Sequence, residues 1–143
     1  MRDFKELKVW QKAHQLVLAV YRDTTALPAD ERFGLTAHLR KTALSIPSNI
    51  AEGCGRQTNR DLGRFLSIAA GSANELDYQL LLARDLGFLP QDTHRILSEQ
   101  VAEVRRMLFR FLQSLEAPNK LPLQVLEFVP IQNRPEWPRW ADT

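Results

Sequence analysis

Among its 143 residues the chain has a single cysteine, Cys54, so no disulfide can form within it. A chain with a single cysteine suits a reducing compartment. The chain also lacks the run of about 18 apolar residues that a membrane-spanning helix requires. Its first ten residues, MRDFKELKVW, carry charges where a secretion signal needs an apolar core. These absences predict a cytoplasmic protein without a membrane partner.

Signatures of catalysis and of metal or cofactor binding are missing as well. The histidines at 14, 38 and 94 lack the acid three positions earlier that di-metal helical bundles use. No Gly-x-Ser-x-Gly motif and no Gly-rich phosphate loop occurs. Cys54 lies between two glycines, where it could be exposed and reactive, but no histidine is near it in sequence. We therefore predict that the protein is not an enzyme and needs no cofactor or metal.

The chain also lacks a large excess of positive or negative charge. It has 19 Lys and Arg and 17 Asp and Glu, which gives a net charge of +2. Residues 32–64 nevertheless hold six basic residues against two acidic ones. Five of these form a candidate contact for the phosphates of RNA or DNA, which we call the basic cluster. The basic cluster consists of Arg40, Lys41, Arg56, Arg60 and Arg64. In a helix–loop–helix they would converge near one end of a bundle, and the alternative is ordinary surface charge.

Apolar residues recur at steps of three and four through residues 1–117, which is the spacing of amphipathic helices. The pattern predicts helices over 7–25, from 28–30 to 53–55, from 58 to 87, and from 90 to about 115. No segment shows the alternation of a β-strand. Four helices with short links predict an all-α fold, an antiparallel up-down four-helix bundle.

The second predicted helix contains Pro47, which would normally end it. Because the apolar stripe keeps its phase from Ile46 to Ile50, we predict a kinked helix that continues to the following glycines. The proline removes the helical donor to the carbonyl of Ala43, and a Ser or Asn side chain can repair such a defect.

A polar stripe follows another face of this helix and leaves three interpretations open. It is a solvated face with a Glu52–Arg56 ion pair, a polar network against the third helix, or a ligand site. The network is favoured because buried polar groups more often specify packing. The stripe consists of Lys41, Ser45, Ser48, Glu52 and Arg56 with Asn49 at its border, and its expected partners are Ser72, Asn74, Glu75 and Tyr78. Small residues at 69–73 predict close helix packing, which would offset the cost of about 1 kcal/mol of Gly71 within a helix.

Residues 118–143 differ from the rest of the chain, since they hold five of the eight prolines and two of the three tryptophans. Proline excludes a continuing helix, but the segment is too apolar for a free tail. We predict a bundle domain over 1–117 and an extended Pro-rich C-terminal arm over 118–143. The arm would lie on the bundle or on a neighbouring subunit.

Two long segments, RKTALSIPSNIAEGCGR and FLSIAAGSANELDYQL, carry a resemblance to a known family. They resemble the four-helix-bundle family named after a protein encoded in intervening sequences of 23S ribosomal RNA genes. LKVWQKAHQL and ERFGLTAHLRK also fit, so the resemblance covers about residues 4–117. The basic cluster except Arg60 falls where the family tends to be basic. The signature positions are Pro47, Asn49, Glu52, Gly53, Gly71, Ser72 and Glu75.

The resemblance implies a bacterial homopentameric barrel and brings no catalytic residues. It also implies kinship with the accessory protein of diversity-generating retroelements, which pairs with a reverse transcriptase and has a basic surface thought to bind nucleic acid. We therefore expect a non-enzymatic oligomer that binds RNA or DNA non-specifically through a repeated basic surface. The alternative is an interaction scaffold, for a reverse transcriptase or another partner, without nucleic-acid contact.

Overall fold

The structure, a computed structural model, describes residues 3–116. Regular structure within that range is entirely helical and contains no strand, which confirms the predicted all-α class. The four α-helices are α1 (Lys8–Asp23), α2 (Leu35–Cys54), α3 (Asn59–Asp85) and α4 (Gln91–Leu115). Short 3-10 turns over Phe4–Glu6, Thr24–Ala26 and Ala29–Glu31 precede α1 and connect it to α2. The predicted arm over 118–143 lies outside the described residues.

Among residues 3–116, no helix combines the length and the apolar character needed to cross a bilayer. The side chains that are fully buried come from all four helices and follow the predicted apolar stripes. Each such leucine, isoleucine or valine contributes about 1.5–3 kcal/mol through burial. The largest of them are Leu16, Val20, Leu39, Ile46, Ile50, Leu66, Leu76, Leu80, Leu97, Val101, Val104 and Leu108.

The start of α2 differs from the prediction, which placed it at 28–30. The structure has a separate turn at Ala29–Glu31, and α2 begins only at Leu35, after Gly34. The carboxylate of Glu31 accepts a hydrogen bond from the amide of Leu35 at 2.9 Å. The prediction was wrong because Glu31, an acid typical of a first turn, instead caps the helix from outside it.

Both ends of α3 confirm the prediction. The hydroxyl of Thr58 accepts a hydrogen bond from the amide of Asp61 at 3.1 Å, which caps the first turn. At the other end Gly87 has a φ of 78°, in the left-handed region that glycine tolerates best. The amide of Phe88 then donates to the carbonyl of Ala83 at 2.9 Å, a common way to close a helix.

The helix α2 continues through Pro47, whose ring is buried, as the unbroken apolar stripe predicted. The side-chain amide of Asn49 donates to the carbonyl of Ser45 at 2.7 Å. It therefore reaches one turn back along α2 and does not serve the carbonyl of Ala43.

Each helix packs against two others, since α2 contacts α1 and α3, and α4 contacts α3 and α1. The α2–α3 pair is antiparallel because contacts move forward on one helix as they move back on the other. Ser45 on α2 meets Ser72 on α3. Gly53, two turns later on α2, faces Leu62, which lies earlier on α3.

The α3–α4 pair shows the same relationship. Arg105 donates to Asn74 at 2.9 Å, and Gly63, earlier on α3, faces Leu112, later on α4. The four helices thus form a bundle around one core, with short connections between antiparallel neighbours.

Candidate nucleic-acid interface

The structure separates the basic cluster into two groups. Arg40 and Lys41 lie in the second turn of α2, whereas Arg56 follows the end of α2 and Arg60 and Arg64 lie in the first two turns of α3. At a rise of 1.5 Å per residue, the first group is about 20 Å from the end of α2. The five cations therefore do not converge at one end of the bundle.

Arg40 is held by neutral oxygen atoms. Its Nε donates to the hydroxyl of Thr24 at 3.0 Å, and its Nη2 donates to the carbonyl of Tyr21 at 3.3 Å. The guanidinium also lies 4.9 Å from the centre of the Tyr21 ring. These contacts fix the side chain at the C-terminal end of α1, where the helix dipole favours a cation. Because no partner within residues 3–116 is a carboxylate, the charge of Arg40 remains uncompensated.

Lys41 and Arg60 are exposed, and neither makes a hydrogen bond or an ion pair with any residue in the described part of the chain. Arg60 lies in the first turn of α3, so it adds its charge to the positive end of that helix. Both side chains are thus available to an anion in solution.

Arg56 and Arg64 have carboxylate partners. Arg56 pairs with Glu52 at 2.7 Å, which is the ion pair of the solvated-face interpretation, and Arg64 lies 3.9 Å from Asp61. Both guanidiniums also lie 4.6 Å from the centre of the Phe65 ring. Exposed pairs of this kind contribute little to stability, but they reduce the charge that an external phosphate would meet.

A small cleft of about 100 Å³ lies between the end of α2 and the start of α3. Its lining includes Gly53, Arg56, Thr58 and Leu62. Cys54 also borders it, but only 3% of that residue is exposed, so the exposed thiol that its position between two glycines allowed is not present. The reason is that Cys54 still belongs to the last turn of α2 and faces the core. Within residues 3–116, no group of three His, Cys, Asp or Glu side chains is placed to hold a metal ion.

The polar residues of α2 and α3 form separate pairs. The hydroxyls of Ser45 and Ser72 are 2.8 Å apart, and the amide of Asn49 lies 3.1 Å from the Ser45 hydroxyl. Elsewhere on α3, Gln79 donates to Glu75 at 3.3 Å. The expected contact between the polar faces of the two helices is therefore present at the serines.

Other expected partners on α3 point elsewhere. Asn74 bonds Arg105 of α4, and Tyr78 is 63% exposed. Gly71 is exposed too, and a Cβ added to it would meet no atom of the described chain within 4 Å. Gly71 thus has no tight packing within residues 3–116, whereas its neighbour Ser72, in the same run of small residues, contacts α2 at Ser45. A close approach occurs instead at Gly53, where an added Cβ would lie 3.0 Å from two side-chain atoms of α3.

Sequence reasoning did not single out four exposed residues that are charged or aromatic, namely Arg32, Phe33, Arg106 and Arg110. Phe33 is 87% exposed, and the Arg32 guanidinium lies 5.4 Å from its ring centre. The available signal was that Phe33 falls outside the apolar stripe of α2. Arg106 and Arg110 on α4 are exposed cations without a hydrogen bond or an ion pair among residues 3–116.

Comparison with known proteins agrees with the fold. The model of a family described as 23S rRNA-intervening sequence protein matches residues 5–110. No curated protein matches the chain. Among solved structures, the chain is similar to a crystal structure of a protein with unknown function from the S23 ribosomal protein family of Bacteroides thetaiotaomicron. The TM-score is 0.69 and the identity 21%, over 73% of this chain and 95% of that one, which supports the fold alone.

Proposed function

The chain belongs to the family of 23S rRNA-intervening sequence proteins, and from that premise we propose that it is a non-enzymatic oligomeric bundle that binds RNA or DNA non-specifically. The observation that carries this proposal is the uncompensated charge of Arg40, Lys41 and Arg60. Phosphate oxygens form strong charge-assisted hydrogen bonds with such cations. Contacts to phosphate carry no sequence information, so the binding is indifferent to sequence.

The strength of binding depends on the number of copies. A single chain of net charge +2 offers few phosphate contacts, because Glu52 and Asp61 offset Arg56 and Arg64. A ring of copies repeats each contact and binds a long nucleic acid at several points. We propose the homopentamer that the family resemblance implies.

Exposed apolar side chains support self-association. Leu18 on α1, Leu44 on α2 and Ile68 on α3 are each between 43% and 56% exposed in the single chain. Burial of such groups between copies is favourable. Light scattering behind a sizing column should report five times the 16.4 kDa of one chain. A monomeric mass would contradict the pentamer.

The nucleic-acid proposal is tested by the salt dependence of binding to tRNA and to duplex DNA. For duplex DNA the slope of log K against log salt is about −0.9 for each phosphate contact. We expect a clearly negative slope for the full chain, which becomes shallower in the Lys41→Gln and Arg60→Gln variants. Arg95→Gln is the matched control, since it removes the same charge from α4, where Arg95 is paired with Glu99 at 3.3 Å. A slope near zero, or equal losses in all three variants, would overturn the proposal.

The second candidate function is a protein-interaction scaffold without nucleic-acid contact. It is favoured by the outer face of α3, where Ile68 and Tyr78 are exposed and Gly71 leaves open space between them. A partner such as a reverse transcriptase would dock there or on residues 118–143. Under this reading, Tyr78→Arg or deletion of 118–143 abolishes capture of the partner, whereas Lys41→Gln does not.

A further inference from the structure

Phe33 is the most exposed large hydrophobic residue in the described range, at 87%, whereas the others lie between 39% and 63%. Its ring nevertheless projects from a fixed loop. The amide of Gly34 donates to the carbonyl of Glu31 at 3.0 Å, and the Glu31 carboxylate caps Leu35 at 2.9 Å. The guanidinium of Arg32 lies 5.4 Å from the ring centre. An exposed ring held in this way is accessible to a partner from outside the described chain.

A second pair of an arginine and an aromatic ring links the end of α1 to α2, the two helices that flank the loop of Phe33. Tyr21 is 43% exposed, with the guanidinium of Arg40 4.9 Å from its ring centre. Phe33 lies two residues before the start of α2. Arg40 and Lys41 lie about 8 Å along that helix from its first residue, since each residue rises 1.5 Å. We call this surface the α1–α2 corner, and it consists of Tyr21, Arg32, Phe33, Arg40 and Lys41.

The cations of the α1–α2 corner retain their charge. Asp30 and Glu31 are the carboxylates of the same connection, and Glu31 is engaged by the amide of Leu35. Asp23, at the end of α1, pairs with Arg22 at 3.0 Å. Among residues 3–116 no carboxylate is a partner of Arg32, Arg40 or Lys41. The corner therefore attracts an anion, and the exposed rings favour one that also carries flat apolar groups.

Single-stranded nucleic acid has both properties. Unpaired bases stack on aromatic rings and on guanidinium planes while cations contact the backbone, and this stacking tolerates any base. A duplex offers no such face, because its bases are already stacked on one another. We propose that the α1–α2 corner binds single-stranded RNA or DNA, with one base stacked on Phe33 and the backbone phosphates on Arg40 and Lys41. This inference rests on the proposed nucleic-acid function and names the form that the chain prefers.

The test compares binding of short oligo(dT) with binding of the matching duplex. Phe33→Ala should weaken oligo(dT) binding between about 5-fold and 150-fold, the range that corresponds to stacking of one base. Duplex binding and the salt slope for oligo(dT) should stay as in the wild type, because no cation is removed. Phe33→Tyr, which keeps an aromatic face, should restore binding. Phe109→Ala is the matched control, since Phe109 is 47% exposed and adjoins Arg110 on α4, and it should change nothing.

Three outcomes would overturn the inference. If Phe33→Ala binds oligo(dT) as tightly as the wild type does, no base stacks on Phe33 and the inference is wrong. If duplex binding persists in that case, the proposed nucleic-acid function is unaffected. A change in the mass of the oligomer in Phe33→Ala, with oligo(dT) affinity intact, assigns the ring to a protein contact. Absence of binding to any nucleic acid by the wild type removes both proposals together.

Discussion

The hydroxyl oxygen of Ser45 on α2 lies 2.8 Å from that of Ser72 on α3, in the middle of the two segments that carry the family signature. Asn49 adds a contact of 3.1 Å from its amide to the Ser45 hydroxyl. One hydrogen bond thus joins the polar faces of the two helices, and Asn49 extends it along α2, which favours the structural interpretation of the polar stripe over a ligand site. The three residues are half-buried, so a polar group that lost its partner there would be only partly rehydrated.

A double-mutant cycle on this pair measures its strength. We expect Ser45→Ala and Ser72→Ala to be coupled by about 1 kcal/mol in the free energy of unfolding, the net value of a typical hydrogen bond. Urea denaturation of the four proteins gives the coupling. Ser67→Ala is the control on α3, because Ser67 is exposed and should change stability by less than about 0.5 kcal/mol. Additive effects of the two substitutions would show that the hydroxyls do not interact.

Features that depend on neighbouring residues in the chain could be predicted from sequence. The cap by Thr58 and the glycine at 87 act within one helical turn, so their residue types suffice to predict the ends of α3. Continuation of α2 through Pro47 followed in the same way from the spacing of the apolar stripe.

Features that depend on contacts between distant parts of the chain could not be predicted from sequence. The sequence marks both Gly53 and Gly71 as signature glycines, but only packing decides which one faces a neighbouring helix. Likewise the partners of Arg40 are Thr24 and Tyr21, which lie 16 and 19 residues away in sequence, whereas the Glu52 partner of Arg56 is one helical turn away and could be named from sequence. The cations of the candidate site could therefore be predicted from sequence, but which of them lack a carboxylate partner could not.

Cys54 should resist thiol reagents in the native protein. It is 3% exposed, and a buried thiol reacts only when the structure opens. We expect slow reaction with a disulfide reagent such as Ellman's reagent, at a rate that increases with urea in parallel with unfolding. Complete reaction within the mixing time in native buffer would contradict the burial of this residue.

Stability should fall as the pH decreases through the titration of His94. Burial, and to a lesser extent the charge of Arg84, lower the pKa of this imidazole below its usual 6.5. The unfolded chain therefore binds the proton more readily than the folded one, and the contribution of His94 is present above pH 6.5 and lost below it.

The measurement is the free energy of unfolding across this pH range in the wild type and in His94→Gln. The variant should lose less stability on acidification, and the exposed His38, replaced in His38→Gln, serves as the control for removal of an imidazole. Parallel pH profiles of wild type and His94→Gln would contradict the assignment.

Alanine substitution of the two signature glycines should change stability in opposite directions. At Gly71 an added Cβ meets no atom of residues 3–116 within 4 Å, so Gly71→Ala should stabilise the chain by about 1 kcal/mol through helix propensity. At Gly53 the added Cβ lies 3.0 Å from Leu62 Cδ1 and 3.0 Å from Phe65 Cβ. The Cβ of Phe65 is attached to the backbone of α3 and cannot move away by itself. Gly53→Ala should thus destabilise by about 1–3 kcal/mol, as overpacking does.

Thermal or urea unfolding of the two variants tests this, and each serves as the control for the other because the same atom is added to a helix in both. Loss of stability in Gly71→Ala would show that another surface approaches α3 there, and a sizing column would then reveal a smaller oligomer. A gain of stability in Gly53→Ala would show that α2 and α3 are further apart at their connection than 3.0 Å contacts allow.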